Sequence, residues 1–202
     1  MFMRRSLGVL ASAARGITVS SISNASPHVA TLGALHGIPS LAQNPRDALR
    51  RFALFGSTGS AAANGIFTLV STGTNTFSLP GTTTGGAVTV TNTVIAAVFD
   101  QTPFMRGHAA VAHAHQTADQ VLFDGTFAVM GSKATSTDAA ILASDAAALA
   151  THFEDCINDV PWSVPGPTND GINELRNVDL RRMMYVVCSA YTAGGMELDL
   201  LY

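Results

Sequence analysis

The sequence predicts an α+β fold: a small antiparallel sheet packed against two long C-terminal helices, with a basic N-terminal arm in front. Three observations predict it. Apolar residues recur at steps of three and four from Thr137 to Asn158, the period of an amphipathic helix. A second run, Ile172 to Thr192, is apolar nearly all round in its latter half, MMYVVCSAY. Ahead of both, Val88 and Val90 alternate with Thr89 and Thr91, the period of a half-exposed strand.

The arm is defined by charge. Arg4, Arg5, Arg15, Arg46, Arg50 and Arg51 are six of the eleven basic residues, and Asp47 is the one acid before Phe52. From Phe52 onward thirteen acidic residues face five basic ones, so the formal net charge of −3 hides a basic front and an acidic body. Drawn as a helix, residues 1–15 place Arg4 and Arg15 on one side and Phe2, Val9 and Ala13 opposite. An amphipathic, Arg- and Ser-rich, acid-free segment has the composition of a mitochondrial transit peptide. Arg15, Ile17 and Ser20 resemble a two-step matrix-processing pattern that ends near Asn24. Residues 1–24 are therefore expected to be a targeting segment or a basic arm. A secretory signal fits less well, because its apolar run, Leu7 to Ala14, is short and weak. An uncleaved arm that contacts nucleic acid is the second expectation.

Residues 25–56 are expected to form a connector and a short amphipathic helix. Asn44-Pro45 has the form of an N-cap followed by proline at the first helical position. Ala48, Leu49, Phe52 and Phe55 then share one side, and Gly56 ends the helix. Arg46, Arg50 and Arg51 lie elsewhere on it, which makes them the candidate partner-binding residues. The linker GSTGSAAANG lacks the spacing and the lysine of a phosphate-binding loop.

Residues 57–202 are expected to form a single globular α+β domain. Strands are expected at 66–71, 77–79, 86–99 and 120–130, with a turn at Pro80-Gly81 and a bend at Gly125. Val94 to Phe99 is apolar on both faces, which predicts a buried strand end. Ser136 or Thr137 caps the helix over 137–158, with Asp138 in its first turn. Pro161, Pro165 and Pro167 keep the next segment out of helix, and Trp162 is expected to pin it to the body. The last helix, 172–192, stops at Gly194-Gly195.

Candidate chemistry is sparse. His108, His113 and His115 lie in GHAAVAHAHQTAD. Drawn as a helix, the segment puts His108 and His115 on one face with Asp119 one turn beyond His115; drawn extended, it puts His113 and His115 on one face. His113, His115 and Asp119 are the candidate metal ligands, since imidazole plus carboxylate suits zinc or another divalent ion. The competing explanation is a polar face or a cluster of interface histidines. Cys156 and Cys188 belong to no CxxC pair and are expected as buried thiols. No GxSxG pattern is present. Arg176, Arg181 and Arg182 have Asp170, Glu174 and Asp179 nearby and are expected to be ion-paired. No stretch of 18 unbroken apolar residues predicts a transmembrane helix.

Charged residues make up 12% of the chain, about half the usual share, and small residues fill the difference. That balance suits a protein that hides much of its surface in an assembly. The leading expectation is a non-catalytic accessory subunit of a mitochondrial assembly (respiratory complex, ATP synthase or mitoribosome), in the matrix or on the matrix side of the inner membrane. No cofactor is expected, and the partners are other protein subunits, with nucleic acid a possible contact of the arm. The alternative is a self-assembling coat-type protein with an inward basic arm. A metal-dependent enzyme built on His113, His115 and Asp119 is the third.

Overall fold

The computed structural model describes residues 4–10, 16–33, 36, 38, 51–59, 63–91, 93–99, 109–116, 124–144, 149–156, 162–164 and 174–201. The N-terminal half contains β1 (Arg4–Leu10), β2 (Val19–Ile22), β3 (His28–Leu32), β4 (Arg51–Phe55), β5 (Gly65–Thr68), β6 (Val70–Ser71), β7 (Thr76–Leu79) and β8 (Val94–Val98). Next come β9 (Ala109–Gln116), β10 (Asp124–Ser132) and two short helices, α1 (Asp138–Leu142) and α2 (Leu149–His152). The chain closes with β11 (Phe153–Asp155), β12 (Trp162–Val164), β13 (Glu174–Asp179), β14 (Met183–Ala193) and β15 (Met196–Leu201).

The protein is therefore mostly β, and the expected α+β arrangement with two long C-terminal helices is corrected. The central sheet has the order β11-β10-β14-β8-β4-β5, with β12 also paired to β10. An outer sheet has the order β1-β15-β9-β13, and a third has β2-β3-β7-β6. All the named pairings are antiparallel. From β8 on, the chain passes back and forth between the central and outer sheets. Taking β1, β8, β9, β10, β11, β13, β14 and β15 as eight successive strands, the first, eighth, third and sixth form one sheet. The second, seventh, fourth and fifth form the other. That is the order of a double Greek-key jelly roll. The segment between β1 and β8 adds β4 and β5 to the central sheet and supplies the third sheet.

Burial follows the period of two. Met184, Val186 and Cys188 of β14 pack with Phe127 and Val129 of β10 against Leu7, Leu198, Leu200 and Val178 of the outer sheet. Phe52, Leu54 and Ile95 meet Ala30, Leu32, Phe77 and Leu79 of the third sheet. The opposite face of the central sheet, including Phe55, Val94, Met183 and Tyr185, is covered by Ile141 and Leu149 of the helices and by Phe153. The central strand β8 is buried at every position, as its unbroken apolar run predicts.

The departures from expectation have local causes. The run Met183–Tyr191 is indeed central, but as a strand between β10 and β8. An apolar run has no period to separate helix from strand, and Tyr185, Val186, Val187, Tyr191 and Thr192 favour the strand. Residues 4–10 pair with β15 instead of forming a helix, with a bulge between Ser6 and Gly8, where Gly8 has φ of 135°. Residues 51–55 are β4, not the end of a helix; Asn44 to Arg50 lie outside the described residues. The stripe over 137–158 does face the core at Ile141, Leu149 and Phe153. Its helix is limited to two short pieces, because Phe153 leaves it to pair with Ser132. Within α1 the expected cap holds: the Thr137 hydroxyl accepts from the Ala140 amide at 3.2 Å.

Two turns behave as their residues dictate. Gly81 takes φ of 86° after Pro80, and Thr82 N–H donates to the Leu79 carbonyl at 3.3 Å, a type II pattern. β10 shifts register on both sides of Gly125–Thr126, the expected bend. Gly16 has the strictest requirement. Its φ is 62°, its N–H donates to Val186 O at 2.6 Å, and a Cβ there would stand 2.8 Å from the Ile95 carbonyl oxygen. Gly16→Ala is expected to cost at least about 1–2 kcal/mol, the left-handed penalty alone, read as a lower urea midpoint.

Candidate functional site

The site is built on the β9–β15 pair in the middle of the outer sheet. In β9, Ala112 and Ala114 stand opposite Leu200 and Leu198, which are in the core between the sheets. The period of two therefore assigns His113 and His115 to the other face of the strand. In β15 the same alternation assigns Glu197 and Asp199 to that outer face. The register sets His113 directly opposite Asp199 and His115 directly opposite Glu197. On the far side of β15, Ser6 pairs with Asp199 and Val9 with Glu197, and on the far side of β9, Leu175 pairs with His113. Two imidazole residues and two carboxylate residues thus form a two-by-two block in register.

Asp199 is 0% exposed. The outer face of a sandwich sheet is normally solvated, and a carboxylate out of water needs a hydrogen bond or a cation. The local sequences explain the placement. AHAHQ and MELDL each alternate a small or apolar residue with a polar one. Gly194, at φ of 82°, turns the chain from β14 of the central sheet into β15 of the outer one. Tyr191 supports that corner, its hydroxyl donating to the Gly194 carbonyl at 2.8 Å.

The other predicted groups resolve as follows. His113 and His115 share a strand face, as an extended segment predicts, but their cross-strand neighbours come from the C-terminal strand. Asp119, Arg46 and Arg50 lie outside the described residues. Arg51 opens β4 opposite Thr68 and is half-buried. Trp162 begins β12, and its backbone position pairs with Phe127 at the edge of the central sheet. Among the described residues, no group of three His, Cys, Asp or Glu is placed to hold a metal ion. Among the same residues, no helix is long and apolar enough to cross a membrane.

Arg181 and Arg182 are ion-paired, as expected. Arg182 grips Asp138 with two bonds, Nη2 to Oδ2 at 2.9 Å and Nε to Oδ1 at 3.3 Å, and donates Nη1 to the Phe99 carbonyl at 3.0 Å. It ties the start of α1 to the entry of β14. Arg181 pairs with Glu154 at 3.1 Å and lies 3.8 Å from Asp179. Burial pushes the neighbouring Cys156 thiol up to about 11, against the opposing pull of Arg181. That thiol stays protonated at neutral pH and is a poor nucleophile. His152 shares a 3.1 Å hydrogen bond with the Ser136 hydroxyl and closes the helix segment.

What sequence reasoning missed is Glu197 and Asp199. The alternation in MELDL was a signal for a strand, but its pairing with AHAHQ is a matter of topology. The chain matches no protein-family model, no curated protein and no solved structure.

Proposed function

We propose that this chain is a non-catalytic, self-assembling coat-type subunit. The supporting observation is the eight-strand jelly-roll order of the outer and central sheets. Viral shells are among the recurrent uses of that architecture. Fold analogy alone does not choose between a shell subunit and the lectin or cupin uses of the same topology. Two further features favour the shell. The chain is only 12% charged, which suits a large area of contact between copies. Its front end is also integral to the fold.

The imported-subunit alternative, a mitochondrial accessory protein, needs the front end to be expendable. Cleavage near Asn24 would remove β1 and β2, and with them the buried Leu7, Ile17, Val19 and Ile22. The basic arm of the coat-type reading also narrows, because residues 4–10 are committed to a sheet. Arg46, Arg50 and Arg51 become its candidate contact with nucleic acid or with a neighbouring subunit.

The test is the state of the purified full-length chain. Light scattering and electron microscopy are expected to find particles of many copies that retain nucleic acid. Replacing Arg46, Arg50 and Arg51 with alanine is expected to reduce that nucleic acid and to lower the salt slope of its binding by about 2–3. A monodisperse monomer in both low and physiological salt overturns the proposal. A mature N-terminus near Asn24 after incubation with isolated mitochondria overturns it in favour of the imported subunit.

A further inference from the structure

We propose that His28 and His36 make the third sheet a proton-sensitive part of the fold, which loosens from the central sheet in mild acid while the eight-strand sandwich stays closed. The setting is two stretches of chain without charge. Residues 16–45 and 52–99 contain no Asp, Glu, Lys or Arg. They supply β2, β3, β5, β6, β7 and β8, and all of β4 after Arg51. Two buried histidines lie there, and neither stretch holds a carboxylate that could pair with them.

His28 opens β3, opposite Leu79 of β7. It is 0% exposed, on the same side of the strand as the buried Ala30 and Leu32. Its backbone N–H donates to the Thr82 hydroxyl at 2.7 Å, but among the described residues neither ring nitrogen has a hydrogen-bond partner. A neutral imidazole so placed forfeits hydrogen bonds to water; an imidazolium forfeits the solvation of a full charge, which costs far more. His36 is also buried. Its ring stands edge-on to Phe77 of β7, with centroids 5.6 Å apart, and its Nδ1 accepts from the Ile38 N–H at 2.9 Å. A proton on Nδ1 sets donor against donor and strands the amide of Ile38, itself a core residue.

The elements around the pair offer no compensation. β2 and β7 flank β3, and Phe52, Leu54, Phe67 and Ile95 of β4, β5 and β8 meet the third sheet across the core. Among the described residues of β2 to β8, the one charged side chain is Arg51, at the start of β4 and of the wrong sign. The ion pairs of the sandwich join guanidinium to carboxylate, Arg182 to Asp138 and Arg181 to Glu154, and involve no histidine. Burial lowers the His36 pKa below the ordinary histidine value, opposed in part by a backbone hydrogen bond at Thr74. Above about pH 6.5 the imidazole is neutral whether the sheet is closed or open, and the sheet has its full stability. As the pH falls below that value the opened chain takes the proton first. Closure then weakens by up to about tenfold per pH unit for each proton taken up on opening.

The test is amide hydrogen exchange of the full-length chain at about pH 7.5 and about pH 5.5, corrected for intrinsic exchange rates. Protection in β3 and β7 is expected to fall about tenfold, the change that one proton makes over the unit below about pH 6.5, while β10 and β14 hold theirs. The double variant His28→Leu/His36→Gln should remove that fall. Leucine needs no hydrogen-bond partner, and the glutamine amide oxygen can still accept from Ile38. If the double variant fails to fold, the two single variants carry the test, and at least one should reduce the fall. Equal protection of β3 and β7 at both pH values in the wild type overturns the proposal. So does a fall shared equally by β10 and β14, or one that survives the histidine replacements in full. The readout belongs to the single chain, so it stands or falls separately from particle formation.

Discussion

Deletion of residues 1–10 will leave the chain unable to hold its outer sheet, and little soluble, cooperatively folding protein will be recovered. The reason is the position of β1. It pairs with β15 from Arg4 opposite Leu201 to Leu10 opposite Met196. Leu7, 1% exposed, projects into the core shared with Met184, Val186, Leu198 and Leu200. Without β1 that core loses a large side chain, and β15 becomes an open edge with unpaired backbone groups, a template for aggregation. Leu7→Ala isolates the packing part and is expected to cost about 2–5 kcal/mol. Yield, circular dichroism and the thermal midpoint measure both effects. A truncated chain that melts cooperatively at the wild-type temperature would mean that the segment is detachable, which is what import and cleavage require.

Phe127→Ala should be the most destabilising single truncation in the sandwich core, costing about 3–5 kcal/mol. Phe127 is fully buried, and its strand lies between β14 on one side and β12 on the other. Its neighbours Val129, Met184 and Val186 belong to paired strands that cannot collapse into the space without breaking their ladders. For a chain of this size the midpoint should fall by roughly 10 °C. Phe127→Leu keeps most of the volume and should cost much less. If the two variants lose equal stability, the packing account of this core is wrong.

How much of this was legible in the sequence differs by element. The turn at Pro80-Gly81, the cap at Thr137 and the bend at Gly125 depend on a few adjacent residues, and they were read correctly. The burial of Ile141, Leu149 and Phe153 was legible for the same reason: an apolar stripe marks a core face. What the stripe did not mark was how soon the helix stops, because Phe153 is claimed by Ser132 of β10. Met183 to Tyr191 was legible as central but not as extended. A run with no polar side has no period, and its state is decided by neighbours distant in sequence. The front end misled most. Arg4, Arg5 and Arg15 produce a plausible helical face, yet the bulge at Gly8 and the pairing with β15 override that local pattern. The candidate site was half legible. HxH on one face of an extended segment was visible, but no local signal ties His113 to Asp199, which is brought beside it only by the sheet order.

The pairing of β1 with β15 also bears on how the chain is made. The ribosome delivers the two ends of this contact far apart in time. At about 5–20 residues per second, β1 waits roughly 10–40 s for β15, and the outer sheet cannot close before then. Throughout that interval Leu7 and the edge of β1 lack their final partners, and contacts of such long sequence separation form slowly in any case. Nascent chains are thus exposed to mispairing until β15 has emerged. Copies made side by side on one message would offer each other the strand that each is still waiting for.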